Sequence, residues 1–563
     1  MLTLQHLPAL ALLAVAMTAL AAGVLGEVVP ARAAVAGRAL LRLALLGAVV
    51  DLVHVMLALP PGGVLAVTLW RITPNLPVAL QVDDAGLALA TAAATAALVI
   101  SLTTRDGPLA SAALGTAALG AMMAGLAGGL LAMYIGLQLS AVGGIGLSYA
   151  RLPRVPSGRL VAAAVADQAV ALIWLGAVVS LNLTTGTVVF AGIPTAAISL
   201  PLAGVLVIPG VVRLSGASFL PDRYGSPRAA DLGDLLAVVA IPTGLAVLLR
   251  VQELAGGTWP HPALGTALDG VALILGLGAV VLEVRGPGGT GLRSLLMVMA
   301  ALVLLGFGAD SAPGTALAVV AAVSMELAAL LGPRVLVSDQ PVATVALPPG
   351  ASRAFLIPLG LPVSAAVTAG VVGLGLGLTA GPMDGLLPAL GFLVALAGLA
   401  AGGSRLLRAD CRPLPWPLAI PGVLLAVAAL LPGALLTEIA APITTGGALG
   451  LVVLTAPDPL SVQLPGLLWP GGYLAMVAVV FASGYWGVRE VLGMPAPERA
   501  PVATSGRPSS GRPPRWEDGL AVAAMARRAL SAGLRISARE MAERPVWMWL
   551  AASLAVSWLL VQR

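Results

Sequence analysis

Apolar runs of eighteen residues or more recur along the whole chain, separated by short clusters of Pro, Gly, Arg and Asp. Inside hydrocarbon no water can satisfy a backbone N–H or C=O, so a run that crosses a bilayer must make those bonds within itself, as a helix does. Reading the runs between their polar punctuation predicts sixteen helices, near 5–25, 38–59, 85–103, 108–128, 130–150, 159–181, 193–213, 232–254, 265–284, 292–309, 314–332, 354–378, 386–407, 416–437, 470–488 and 545–561. The first run, Leu7 to Leu25, has no Arg or Lys ahead of it and leads straight into further spans. It therefore reads as a transmembrane helix and not as a secretory signal. The expected fold class is an all-α integral membrane bundle of about 14–16 spans.

Composition agrees with this pattern: 59% of the 563 residues are apolar and 10% are charged, against roughly 25% charged residues in an ordinary soluble domain. If the spans alternate, the loops after odd-numbered helices, with their flanking helix ends, carry 27 of the 30 basic residues. The positive-inside rule makes that side cytoplasmic, with the N-terminus outside a cell inner (plasma) membrane. The opposite loops, such as 61–84 and 438–469, are longer, rich in Pro and Gly and nearly free of basic residues.

After residue 490 the composition changes. Residues 491–515 read as a Pro/Ser/Gly/Arg-rich cytoplasmic linker that closes a transmembrane core of residues 1–490. From 516 to 541 an amphipathic interfacial helix is predicted, with Leu520, Ala523, Leu530, Leu534 and Met541 toward one side and Arg528, Arg535 and Arg539 toward the other. A final span, 545–561, follows it.

Candidate chemistry is sparse. The single cysteine, Cys411, excludes a disulfide within the chain and a cysteine-built cluster, and the three histidines are scattered. No Gly-rich phosphate loop joins a strand to a helix. No cofactor, metal, nucleotide or nucleic acid is expected to bind; the lipid bilayer is the expected surrounding.

Four stretches resemble the antiporter-like subunits shared by respiratory complex I, group 4 membrane-bound hydrogenases and multisubunit cation/proton antiporters. LQVDDAGLALA is similar to the family's Val-Asp-Gly-Leu-Ser entry to the third helix, with Asp83 or Asp84 in the Asp place. MYIGLQLSAVGGIGLSYA has the shape of its Leu-x-x-x-Glu-Leu-x-Ser helix. ASFLPDRYGSPRAADLGDLLAVVAIPTGLAVLLRV resembles a Trp-Leu-Pro-Asp segment, a Ser-Pro turn and a helix ending Gly-x-Tyr-x-x-x-Arg, which places Phe219, Leu220, Pro221, Asp222, Gly244 and Arg250 on that pattern. Looser likeness runs through LRSLLMVMAALVLLGFG and PWPLAIPGVLLAVAALLPG. The resemblance implies broken helices, inverted repeats, other membrane subunits of a multisubunit complex as partners and, in some members, a lateral helix with a last span.

It also implies a proton path built from a Glu on the fifth helix, a Lys on a neighbouring broken helix, further Lys or His, and a last Lys or Glu. A carboxylate beside a desolvated Lys restores the proton affinity that burial takes away. This chain has no lysine: all 30 basic side chains are Arg, which does not release its proton. On the matched positions stand Gln138 for the Glu, Gly210 for the Lys with Arg213 one turn on, and Ile241 near the second Lys place. Carboxylates predicted at membrane depth remain as proton-path candidates: Asp167, Asp269, Glu326 and Asp384. Arg250 with Glu253 reads as an interfacial ion pair. The expected function is a non-redox membrane-arm subunit of a complex I-like NADH-quinone oxidoreductase or group 4-type hydrogenase complex, a scaffold whose proton-translocation path is degenerate. A subunit of a cation/proton antiporter complex and an independent secondary transporter are the alternatives.

Overall fold

The computed structural model describes residues 6–406, apart from 29, 61–62, 74–75, 105, 152–156, 218–232, 286–290, 336–356 and 380–384, together with 462–464 and 467–469. Thirteen long helices follow in chain order: α1 (Leu7–Val28), α2 (Pro30–Ala58), α3 (Asp84–Thr103), α4 (Pro108–Gly125), α5 (Leu130–Arg151), α6 (Ser157–Thr185) and α7 (Leu200–Ala217). They continue with α8 (Gly233–Leu254), α9 (Pro262–Arg285), α10 (Gly291–Gly308), α11 (Ala312–Val335), α12 (Ile357–Thr379) and α13 (Leu386–Leu406). Among the described residues eight helices are long and apolar enough to cross a membrane, and five more carry shorter apolar stretches. Each of the first thirteen predicted spans finds its helix. The spans expected at 416–437, 470–488 and 545–561, the linker 491–515 and the helix 516–541 lie outside the described residues.

Two departures have local causes. Residues 190–197 form two short 3-10 turns, Phe190–Gly192 and Thr195–Ala197, around Pro194, so α7 begins at Leu200 instead of 193. The loop 61–84, read from the sequence as a long Pro/Gly-rich connection, holds an antiparallel hairpin of β1 (Leu65–Thr73) and β2 (Leu76–Val82). Its Val, Ile, Thr and Trp content suits a half-buried strand, and Val78 to Val82 are buried. A second, shorter pair, β3 (Val462–Leu464) with β4 (Leu467–Trp469), falls in the loop expected at 438–469.

Where two helices pack in lipid, small residues let their backbones approach. A Cβ at Gly120 of α4 would lie 2.2 Å from Ser140 N, and one at Gly143 of α5 would lie 2.3 Å from Ala117 N. The α4–α5 contact is therefore closed by backbone, with no room for a side chain. On the outer surface Leu13, Met17, Leu20 and Val24 of α1 and Leu43, Val50 and Leu57 of α2 are exposed, while Val15, Leu41, Leu45 and Leu52 face inward. Apolar residues all round a helix are what a lipid-facing position requires.

Polar contacts mark the two ends of the bundle. At the hairpin end meet the start of α3, the ends of α4, α8 and α10, and the starts of α9 and α11. At the opposite end meet Arg42 in the first half of α2, the ends of α3, α5 and α11, and the start of α8. Arg42, Arg151 and Arg334 all bond at this second end.

Candidate functional site

At the hairpin end, β2 delivers Asp83 to the N-cap of α3, where its Oδ1 accepts from Gly86 N at 2.7 Å. Asp83, not Asp84, is thus the residue of the resemblance's Asp place that closes the ion pair. Its carboxylate takes two bonds from Arg250 of α8, at 2.6 and 2.8 Å, and one from Gln81 Nε2 at 2.8 Å. Arg250 also donates to Glu253 at 2.8 Å and to Gly125 O at 3.3 Å. Burial alone would raise the Asp83 carboxyl, but the Arg250 guanidinium and the Gly86 and Gln81 donors hold it below the usual carboxylate range. The Arg250–Glu253 pair expected from the sequence forms at 2.8 Å, and Arg250, 2% exposed, extends it to Asp83, joining hairpin, α3, α4 and α8 in one buried cluster.

The opposite end holds a second buried cluster that the sequence did not signal. Arg151 Nε and Nη2 donate to Asp106 at 3.0 and 2.6 Å, and its Nη1 donates to Asp234 at 2.6 Å. Arg334 donates to Asp234 at 2.8 Å and to Thr103 Oγ1 at 3.0 Å. Asp234, 1% exposed, therefore links α5 to α11 from the first turn of α8.

Between these clusters lies the level of the matched proton positions. Gln138 is half-buried on α5, with its Nε2 fully enclosed. Arg213 of α7 reaches the same turn of α5, donating to Leu137 O at 2.9 Å and Ser140 Oγ at 2.9 Å, and touches Thr243 Oγ1 of α8 at 3.4 Å. Gly210 points elsewhere: a Cβ there would meet Gly244 O and Leu248 Cγ, each at 3.0 Å, so this position seals α7 against α8. Ile241, 1% exposed, follows a single π-helical stretch, Leu236–Ala240, and its N–H bonds back to Leu236 O. Pro242, which has no N–H, is the sequence signal for that irregularity. The structure thus brings Gln138, Arg213 and the π stretch next to Ile241 together across α5, α7 and α8, while Gly210 is spent on packing.

In the second half, Glu326 is half-buried on α11. Ser324, two positions earlier, returns its hydroxyl to Val320 O at 2.7 Å; residues two apart on a helix do not face each other. Asp269 of α9 is 4% exposed and its Oδ1 has no hydrogen-bond partner. Asp384 lies outside the described residues, and the Asp167 side chain is likewise outside them, although its backbone belongs to α6. Close to Asp269, Asp310 has a left-handed backbone (φ 46°) and accepts from Trp259 N at 2.6 Å. Burial pushes the Asp310 carboxyl upward, opposed in part by that N–H.

No family model and no curated protein matches the sequence. Solved structures do share the fold. A chain of the membrane-bound sulfane sulfur reductase, an archaeal respiratory membrane complex, superposes with a TM-score of 0.67 at 16% identity, covering 97% of this chain and 99% of that one. A chain of the Mrp complex from Dietzia sp. DQ12-45-1b gives 0.63 at 18% identity over 98% of this chain, which spans 63% of that longer one. A chain of respiratory complex I from Thermus thermophilus gives 0.56 at 17% identity, covering 78% of this chain and 100% of that one. The chain has the fold of the antiporter-like membrane subunits of such multisubunit complexes, and it is a multi-pass membrane protein.

Proposed function

We propose that this chain is a membrane-arm subunit of a complex I-like oxidoreductase or group 4-type hydrogenase complex, with its basic end at the cytoplasmic face of the plasma membrane and its hairpin end outside. It carries no redox centre of its own, and its first half acts as a scaffold. One observation supports this most: the α5–α7 crossing is held by Arg213 on Leu137 O and Ser140 Oγ, beside Gln138. Neither a guanidinium nor an amide exchanges a proton at accessible pH, so neither Arg213 nor Gln138 takes the place of the Lys and Glu of the resemblance as a proton carrier. Arg213 instead fixes α7 to α5 with a permanent charge. Any proton movement is left to the second half, where Glu326, Asp269 and Asp384 retain carboxyl groups, and Asp167 remains on α6. The likeness to the Mrp chain favours a second reading, a subunit of a cation/proton antiporter complex.

Affinity purification of the tagged full chain from its native membrane separates these readings. Co-purification of hydrophilic iron–sulfur or nickel–iron subunits is the expected result. Recovery with small membrane subunits alone would replace it with the antiporter reading, and recovery as a lone chain would leave an independent transporter.

A further inference from the structure

We propose that Asp269 is a proton-binding site at the hairpin end of the bundle, holding its proton beneath Trp259 and exchanging it with the water on that side. The inference rests on the reading of a proton-moving membrane subunit and adds the group and the face at which a proton is held. Among the described residues the other deeply buried carboxylates, Asp83 and Asp234, are each bonded to arginine. Asp269, 96% enclosed by the same measure (4% exposed), has an Oδ1 with no partner at all.

The surroundings disfavour an anion. The carboxyl lies against Gly308, the last residue of α10, so closely that a Cβ there would sit 2.0 Å from Oδ1. A helix C-terminus presents its free carbonyls and carries partial negative charge. α9 packs on α10, α13 and α7. Arg293 is at the far end of α10, Arg213 of α7 is bonded to α5, and the described side chains of α13, 386–399, include no charged group. His261, near the start of α9, is exposed and accepts from Ala263 N through Nδ1. Apart from the Asp83–Arg250–Glu253 cluster, the remaining ionisable group described at this end of α9 and α10 is Asp310, itself an acid. A neutral carboxyl is far cheaper to bury in such a site than a carboxylate.

The cover is thin. Asp269 stands seven residues into α9 from Pro262, about 10 Å along the helix. Above it Trp259, 5% exposed, packs its ring over Gly265, with Cδ1 3.8 Å from the Cβ position. Its Nε1–H donates to Phe307 O at 2.9 Å and its backbone N–H to Asp310 Oδ1 at 2.6 Å. Glycines with positive φ, Gly256 and Gly257, precede it in the loop. One ring and two hydrogen bonds thus separate the acid from the hairpin face.

Infrared difference spectroscopy on the purified assembly containing the full chain, in lipid nanodiscs, tests this without any redox partner being active. Subtracting Asp269→Asn from wild type at neutral pH should reveal a protonated-carboxyl C=O band that the variant has lost. That band should shift in D2O and give way to carboxylate bands as pH is raised. Gly308→Ala, which must displace the acid, should move the band and so confirms its owner if Asp269→Asn disturbs the fold. Asp310→Asn, which loosens Trp259, should speed the D2O shift several-fold. Loss of carboxylate bands instead, or a C=O band that never shifts in D2O, overturns the proposal. Failure of the subunit reading would show separately, as the absence of co-purifying partners.

Discussion

Replacing Arg250 by methionine keeps an unbranched stem out to the Nε position but removes the guanidinium and its four hydrogen bonds: two to Asp83, one to Glu253 and one to Gly125 O. Asp83, 3% exposed, would keep only Gln81 Nε2 and Gly86 N, with the Glu253 carboxylate sharing that same Gln81 amide at 3.1 Å. Removing one partner of a buried ion pair typically costs about 3–5 kcal/mol, a large part of the roughly 5–15 kcal/mol that holds a domain folded. The apparent melting temperature of the detergent-purified chain should therefore fall sharply in Arg250→Met. Asp83→Asn added to it should recover most of the loss, since no buried charge is then left unmatched. The pH dependence has opposite signs in the two proteins. In the wild type the Asp83 pKa is depressed, so its contribution is present above the ordinary carboxylate range and is lost as pH falls through the depressed value. Without Arg250, burial dominates and raises the Asp83 pKa, so the deficit of Arg250→Met should narrow as pH is lowered from neutral. Equal melting of wild type and Arg250→Met, or a deficit that is flat with pH, would refute the assignment of this cluster as a stabilising one.

Asp234→Asn should also destabilise the fold, by about 3–5 kcal/mol, because Arg151 and Arg334 would then share one carboxylate fewer in a buried place; thermal unfolding with and without Arg334→Met gives the coupling. Gln138→Glu restores the acid of the resemblance but not its lysine, so proton flux into vesicles should stay at the wild-type level, and a large gain would contradict the scaffold reading. Glu326→Gln and Asp384→Asn should lower the protons moved per electron in the intact complex; unchanged stoichiometry in both would leave the second half, too, without a path through them.

The helices were legible because hydrophobic run length is a local property: all thirteen in the described region were placed from it, α3 and α5 to within a residue. The hairpin carried a readable signal, β-branched and aromatic residues around Pro74–Asn75, that the expectation of a Pro/Gly-rich loop overrode. Asp83 and Arg250 were found through the resemblance, yet their pairing joins positions 167 residues apart. The Asp106–Arg151–Asp234–Arg334 cluster had no such guide, since it links segments up to 231 residues apart and each member alone reads as an ordinary loop charge. Asp269 was picked out as a buried acid, but the notch at Gly308 depends on how α9 crosses α10, which spacing along one chain does not encode.

α8 and α11 are pinned together at both extremities, by Asp234 to Arg334 at one and by Gln252 Oε1 to Thr315 Oγ1 at the other. Between the pins runs the π stretch Leu236–Ala240. A beam fixed at both supports can neither slide nor rotate against its neighbour. It can only bow. Any bowing would fall on the stretch between the supports, where Ile241 N–H reaches back five residues to Leu236 O and Thr243 Oγ1 donates to Val239 O. Among the described residues, the irregular backbone of α8 thus lies between those two contacts, in the stretch that leads to Thr243, which Arg213 touches.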